Sequence, residues 1–125
     1  KKSEKKVGRL YRELVDKFEL TIEPVKCQDY VSRYGTELSL SQETKTLAVK
    51  ILDEAEKSSI QIGKSPTGMA AAAIYIAGNE RGEKRTQREI SNIARITEVT
   101  LRNRYKELLK NKKLVEKLKL NNEIY

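Results

Sequence analysis

Val99, Arg102, Asn103 and Lys106 recur at i, i+3, i+4, i+7, the spacing that lines side chains along one face of a helix. Leu101, Tyr105 and Leu108 recur at i, i+4, i+7 on the opposite face and turn toward a core. An exposed stripe of one aliphatic, one arginine, one amide and one lysine has the chemistry to read base edges. A guanidinium fork takes two acceptors of guanine, a carboxamide pairs with adenine, and a small apolar group touches a thymine methyl. The stripe lies on the second of two short helices in TQREISNIARITEVTLRNRYKELLK, residues 86–110. Two such helices across a tight turn form a helix-turn-helix, whose second helix enters the major groove.

The charge distribution fits a polyanion partner. The 125 residues carry a formal charge of +8, and residues 81–125 alone hold 13 basic and 6 acidic side chains, a net of +7. Residues 21–80 are near neutral at −2, and residues 1–20 carry +3. A basic third beside a neutral middle directs one face toward a polyanion, although lysine-rich helix surfaces also serve general solubility. The length suffices for one compact domain with its own core.

Other chemistries find little material. With no His and one Cys, Cys27, the chain cannot build a disulfide, a zinc finger or a His-based triad within itself. Cys27 reads as a small buried apolar residue. The carboxylates cluster with no nucleophile or metal ligand in a recognisable motif, and Glu43 and Glu89 read as helix-start charges. No enzyme, cofactor or metal site is expected. The apolar run at residues 69–77 falls far short of the ~20 residues that a spanning helix needs. The opening residues read as a charged helix and not as a signal peptide. Because the chain starts at Lys1 inside that pattern, it reads as a fragment of a longer protein.

The elements that position the stripe are all helices, with no strand signals. Val7, Leu10, Tyr11, Leu14 and Phe18 predict a helix over 3–18, followed by a linker over 19–24 in which Pro24 fixes an extended backbone. A second helix is predicted over 25–38, with Val31, Tyr34 and Leu38 inward. Ser41 caps a third over 42–57, with Leu47, Ala48, Ile51, Leu52 and Ala55 on its apolar side. Ser65-Pro66 opens a fourth over 66–79, whose centre, MAAAAIYIA, is apolar nearly all round and must be buried on every side. Gly82 breaks the chain, and the capping box Thr86-Gln87-Arg88-Glu89 opens the fifth helix. The sixth spans 98–110, and Leu114, Leu118 and Leu120 predict a short packed helix in the basic tail over 112–125. Arg95 stands in the turn, where many such motifs carry Gly because φ > 0 is common. A left-handed Arg there costs about 1 kcal/mol, and its charge suits a phosphate contact.

An internal echo organises the chain further. Val7, Tyr11, Glu13 and Leu14 match Leu101, Tyr105, Glu107 and Leu108 at a constant offset of 94 residues. The first helix is thus predicted to close a preceding repeat, over residues 1–24, before one full five-helix repeat over 25–111.

A five-helix repeat around a small-residue helix resembles the cyclin fold. The strings GKSPTGMAAAAIYIAG, residues 63–78, and KRTQREISNIARITEVTLRNRYKELL, residues 84–109, are similar to the archaeal branch of the transcription factor IIB family. The resemblance implies an all-α, cyclin-like fold and a fragment holding the tail of one repeat and the whole of a second. It implies a general initiation factor that binds TATA-binding protein on promoter DNA and reads a purine-rich element upstream of the TATA box, fixing the direction of the complex. It implies polymerase recruitment through segments outside this fragment, and a cytoplasmic, nucleoid-associated setting in an archaeon or a nuclear one in a eukaryote. Val99 and Arg102 match the family's recognition helix, and Thr100, Asn103 and Lys106 join them. Gln87, near the start of the first helix of the motif, is placed to reach the groove edge. Arg85, Arg88, Arg95, Arg104 and Lys110 are expected as phosphate contacts, which position without specifying. The competing reading is a cyclin-like protein-interaction module whose basic face meets an acidic partner. Exposed Val99 favours DNA, since a solvated face gains nothing from an aliphatic group.

Overall fold

The computed structural model describes residues 26–60 and 64–121. The helix expected over 3–18, its linker and the repeat echo lie outside the described residues. Within them the chain forms α1 (Cys27–Glu37), α2 (Gln42–Lys57), α3 (Pro66–Glu80), α4 (Gln87–Ala94), α5 (Glu98–Lys110) and α6 (Lys112–Leu118). The spans of α2 and α5 coincide with those expected from the sequence. α1 begins two residues later than expected, because the Lys26 amide donates to the Asp29 carboxylate at 3.0 Å and so makes Lys26 the cap.

α3 is the axis of the fold. Every residue from Gly68 to Gly78 is buried, and α1, α2, α4 and α5 all pack against it. Its alanines let four neighbours approach one helix, since side-chain bulk sets interaxial distance. Ser65 starts it, with its hydroxyl accepting from the Gly68 amide at 3.0 Å and Pro66 in the first turn. At its far end a Cβ on Gly78 would stand 2.8 Å from the Glu83 carbonyl oxygen, so only glycine lets the following loop fold back.

The helices end in a shared way. Ser39, Ser59, Arg95 and Lys119 adopt φ between 53° and 58°. One residue later an amide reaches back five positions, as Leu40 to Gly35 at 2.8 Å, Ile60 to Ala55 at 3.0 Å, Ile96 to Ser91 at 3.0 Å and Leu120 to Val115 at 2.9 Å. These are Schellman closures, each with an apolar residue tucked in after the left-handed one. α3 closes alike through Gly82, φ 74°, with the Glu83 amide on the Gly78 carbonyl at 2.8 Å.

α5 and α6 share a single residue as joint. The Asn111 amide donates to the Leu108 carbonyl at 3.2 Å, and its side-chain oxygen accepts from the Leu114 amide at 3.2 Å. α6 packs on α2 and α5, burying Leu114 and Leu120 with Leu118 partly covered. Lys117 reaches Glu54 of α2 at 2.8 Å and holds that carboxyl below its usual range, and the Asn121 amide donates to Glu80 at 2.8 Å. The basic tail is thus a packed helix where it is described, as Leu114, Leu118 and Leu120 predict.

Two stability measurements test this architecture. Ala72→Leu inserts three carbons where facing side chains leave no room, and should cost about 1–3 kcal/mol in urea unfolding; an unchanged midpoint would place α3 at the surface. Ser59→Gly, at an exposed left-handed position, should stabilise by about 0.5–1 kcal/mol as relief of backbone strain outweighs added chain entropy. A loss of stability would contradict that backbone conformation.

Candidate nucleic-acid interface

The helix-turn-helix is built by caps at three consecutive points. The Thr86 hydroxyl accepts from the Glu89 amide at 3.0 Å and starts α4. Arg95, at φ 56° and ψ 46°, ends it in the left-handed region, so this turn does carry the conformation that glycine usually supplies. Thr97 starts α5 two residues later, accepting from the Thr100 amide at 3.1 Å. Ile90 and Ala94 of α4 and Leu101, Tyr105 and Leu108 of α5 are buried together against α3. α5 is therefore fixed by its apolar face and presents the other.

That other face carries the stripe. Val99 is 58% exposed and is the one large apolar side chain so exposed among the described residues. Arg102, Asn103 and Lys106 are exposed beside it, and Lys110 continues the same side of the helix at its last turn. Arg88 on α4 and Arg95 in the turn are exposed as well. Burial raises the Tyr105 hydroxyl pKa above its ordinary value, and the Arg102 charge nearby opposes that rise. The stripe thus combines a fork of donors, an amide, two ammonium groups and an aliphatic patch on one rigid surface.

Four other candidates are engaged within the molecule. Thr100 is half-buried; its hydroxyl accepts from that of Thr97 at 2.9 Å and its methyl lies toward Gly68. Gln87 is half-buried, and its amide nitrogen donates to the hydroxyls of Tyr75 and Tyr105, each at 3.4 Å. Those two rings lie 4.6 Å apart, joining α3 to α5. Arg104, with 23% of its side chain exposed, pairs with Glu107 at 2.7 Å, and Lys64 approaches the same carboxylate at 3.3 Å. Arg85 sends its Nε to the Leu38 carbonyl at 3.0 Å and its Nη2 toward that of Ser39 at 3.5 Å.

Sequence reasoning passed over Glu83 and Thr44, and read Ser41 only as a helix cap. Glu83 accepts from the Ser41 amide at 3.1 and 3.2 Å, and from the hydroxyls of Ser41 and Thr44. Those hydroxyl bonds, that of Ser41 foremost, hold the Glu83 carboxyl below the usual carboxylate range. The signal for Thr44 was available: with Leu47, Ala48 and Ile51 it falls at i, i+3, i+4, i+7 on the buried face of α2. Cys27 is buried, and burial pushes its thiol pKa up, away from reactivity. No group of His, Cys, Asp or Glu among the described residues is arranged to hold a metal ion, and no helix there is long and apolar enough to cross a membrane.

Comparison with known proteins matches this arrangement to one family. The transcription factor TFIIB repeat matches residues 20–111, which takes in α1 to α5 and leaves α6 outside. Transcription initiation factor IIB 1 of Thermoplasma volcanium is 50% identical over 119 residues, covering 95% of this chain and 36% of that protein. Transcription initiation factor IIB of Pyrococcus furiosus is 51% identical over 118 residues, covering 93% and 37%. A protein of the same name from Haloarcula vallismortis is 48% identical over 104 residues, covering 83% of this chain and 91% of that one. The chain thus spans little more than a third of the first two relatives. With its helix-turn-helix and the axial helix beneath it both inside the matched stretch, the chain belongs to the transcription factor TFIIB repeat family.

Proposed function

We propose that this chain is the DNA-reading part of a general transcription initiation factor. It binds duplex promoter DNA upstream of a TATA box together with TATA-binding protein, and so orients the initiation complex. Segments outside residues 1–125 contact RNA polymerase. The observation that carries this reading is the exposed stripe of Val99, Arg102, Asn103 and Lys106 on the second helix of a helix-turn-helix. The names of the archaeal relatives agree with it.

In this reading the labour is divided by side-chain geometry. Arg102 offers two parallel donors to one guanine, and Lys cannot reproduce that fork. Val99 supplies apolar contact for a thymine methyl, and Asn103 an amide for adenine. Arg88, Arg95 and Lys110, all exposed, meet phosphates and set register, and Lys106 adds its charge from the base-reading stripe. No bond is made or broken, so the function is binding and not catalysis.

Charge gives the first test. About four phosphate contacts should make log affinity fall with log salt at a slope of roughly −4 between ~50 and ~300 mM. A slope near zero would show that the basic face meets something other than a polyelectrolyte, an acidic protein surface first among them.

Specificity gives the second. With TATA-binding protein present, Arg102→Ala should cost about 1–3 kcal/mol on a duplex with a purine-rich upstream element. The loss should nearly vanish when that element is scrambled. Lys110→Ala should weaken both duplexes alike. Equal weakening of both duplexes by Arg102→Ala would reduce Arg102 to a phosphate clamp.

A further inference from the structure

The loop entering the helix-turn-helix is clasped to the turn between α1 and α2 by two side chains of opposite charge. Glu83 takes the donors that begin α2: the Ser41 amide at 3.1 and 3.2 Å and the hydroxyls of Ser41 and Thr44, the latter fully buried. Arg85 takes the acceptors that follow α1: the Leu38 carbonyl at 3.0 Å and that of Ser39 at 3.5 Å. Each charge meets the helix end whose unpaired groups and dipole suit it, an anion at an N-terminus and a cation at a C-terminus. The same loop is held from the α3 side, where the Glu83 amide bonds the Gly78 carbonyl at 2.8 Å. Thr86, the cap of α4, follows Arg85 directly.

We propose that Glu83 and Arg85 are positioning residues for base reading. They lock the first helix of the motif against the α1–α2 turn, and thereby fix the angle at which α5 is presented. The proposal rests on the DNA-reading function above. A phosphate contact tolerates small rotations of the helix, because a long basic side chain follows the charge. A bidentate base contact does not, since productive geometry is held within about 0.5 Å and 10–20°. Loosening the clasp therefore removes discrimination while sparing affinity. Removing the Glu83 charge also makes the basic side of the chain more basic, which on charge alone strengthens non-specific binding. The two effects run in opposite directions and can be told apart.

The experiment compares the parent chain with Glu83→Gln, Arg85→Ala and Arg85→Lys. Each binds, with TATA-binding protein, to TATA duplexes carrying an intact or a scrambled purine-rich upstream element, over a range of salt. Amide exchange of the protein alone is followed in parallel. Glu83→Gln should lower the ratio of the two affinities by about 5- to 10-fold, within the range of one base contact, while affinity for the scrambled duplex holds or rises. Arg85→Ala should lower the ratio similarly with an unchanged salt slope, and Arg85→Lys should fall between. Exchange should quicken at the Ser41 amide in Glu83→Gln and stay slow along α3, which separates a loosened clasp from a failing fold. The positioning role is overturned if the Ser41 amide quickens and the ratio holds. It is overturned equally if Arg85→Ala lowers the slope by about one, the mark of a lost phosphate contact, or if α3 exchange quickens as much as Ser41. A parent chain that fails to distinguish the two duplexes would sink the base-reading function itself, a result visible before any variant is measured.

Discussion

A helix with no polar face dictates the rest of this molecule. α3 is buried from Gly68 to Gly78, so it can exist only where other helices cover it on every side. Its alanines supply little bulk beside Met69, Ile74 and Ile76, and its neighbours fill much of the core: Ile51 and Leu52 from α2, Ile90 from α4, Leu101 and Leu108 from α5. Each covering helix must therefore turn its apolar face inward. For α5 this leaves the opposite face outward, and that face is the stripe. The candidate interface is thus a by-product of core packing, set by which side of α5 the axis claims.

Basic side chains here do two kinds of work, and net charge does not separate them. Arg85, Arg104 and Lys117 are each committed to a carbonyl or carboxylate of the same chain. Arg88, Arg95, Arg102, Lys106 and Lys110 are exposed on the helix-turn-helix. The positive charge of residues 81–125 is not confined to that motif, since Arg81, Lys84, Lys112, Lys113 and Lys119 are exposed on either side of it in sequence. A polyanion meeting this surface encounters an ordered group of charges around an aliphatic centre.

Periodicity and caps made much of this legible. Ser41, Ser65, Thr86 and Thr97 all accept the amide three residues on, and local chemistry of that kind is written in adjacent residues. The buried and exposed sides of α5 followed from spacing for the same reason. What spacing could not supply was partner identity across the fold. Gln87 finds its hydroxyls on α3 and α5, Thr100 packs toward Gly68, and Arg85 meets carbonyls more than forty residues away. Glu83 gave no signal in the sequence, because the hydroxyls and amide that bind it belong to Ser41 and Thr44, at the start of another helix. Arg95 is an intermediate case: the turn and the cost of a left-handed Arg in it were legible, and the structure shows that Arg95 does adopt that backbone against the usual preference for glycine.

Asn111 carries a consequence for where the functional unit ends. The matched repeat stops at residue 111, the residue that serves α5 and α6 together. A helix terminus left to itself frays, because its last carbonyls lack partners. Here the terminus of α5 runs into a second helix anchored by Leu114, Leu120 and the Glu54–Lys117 pair. α5 is tethered at both ends, by Thr97 in front and by a docked anchor behind. The packed unit therefore extends one helix past the matched repeat, and a boundary drawn at residue 111 would cut through the joint that holds the end of α5.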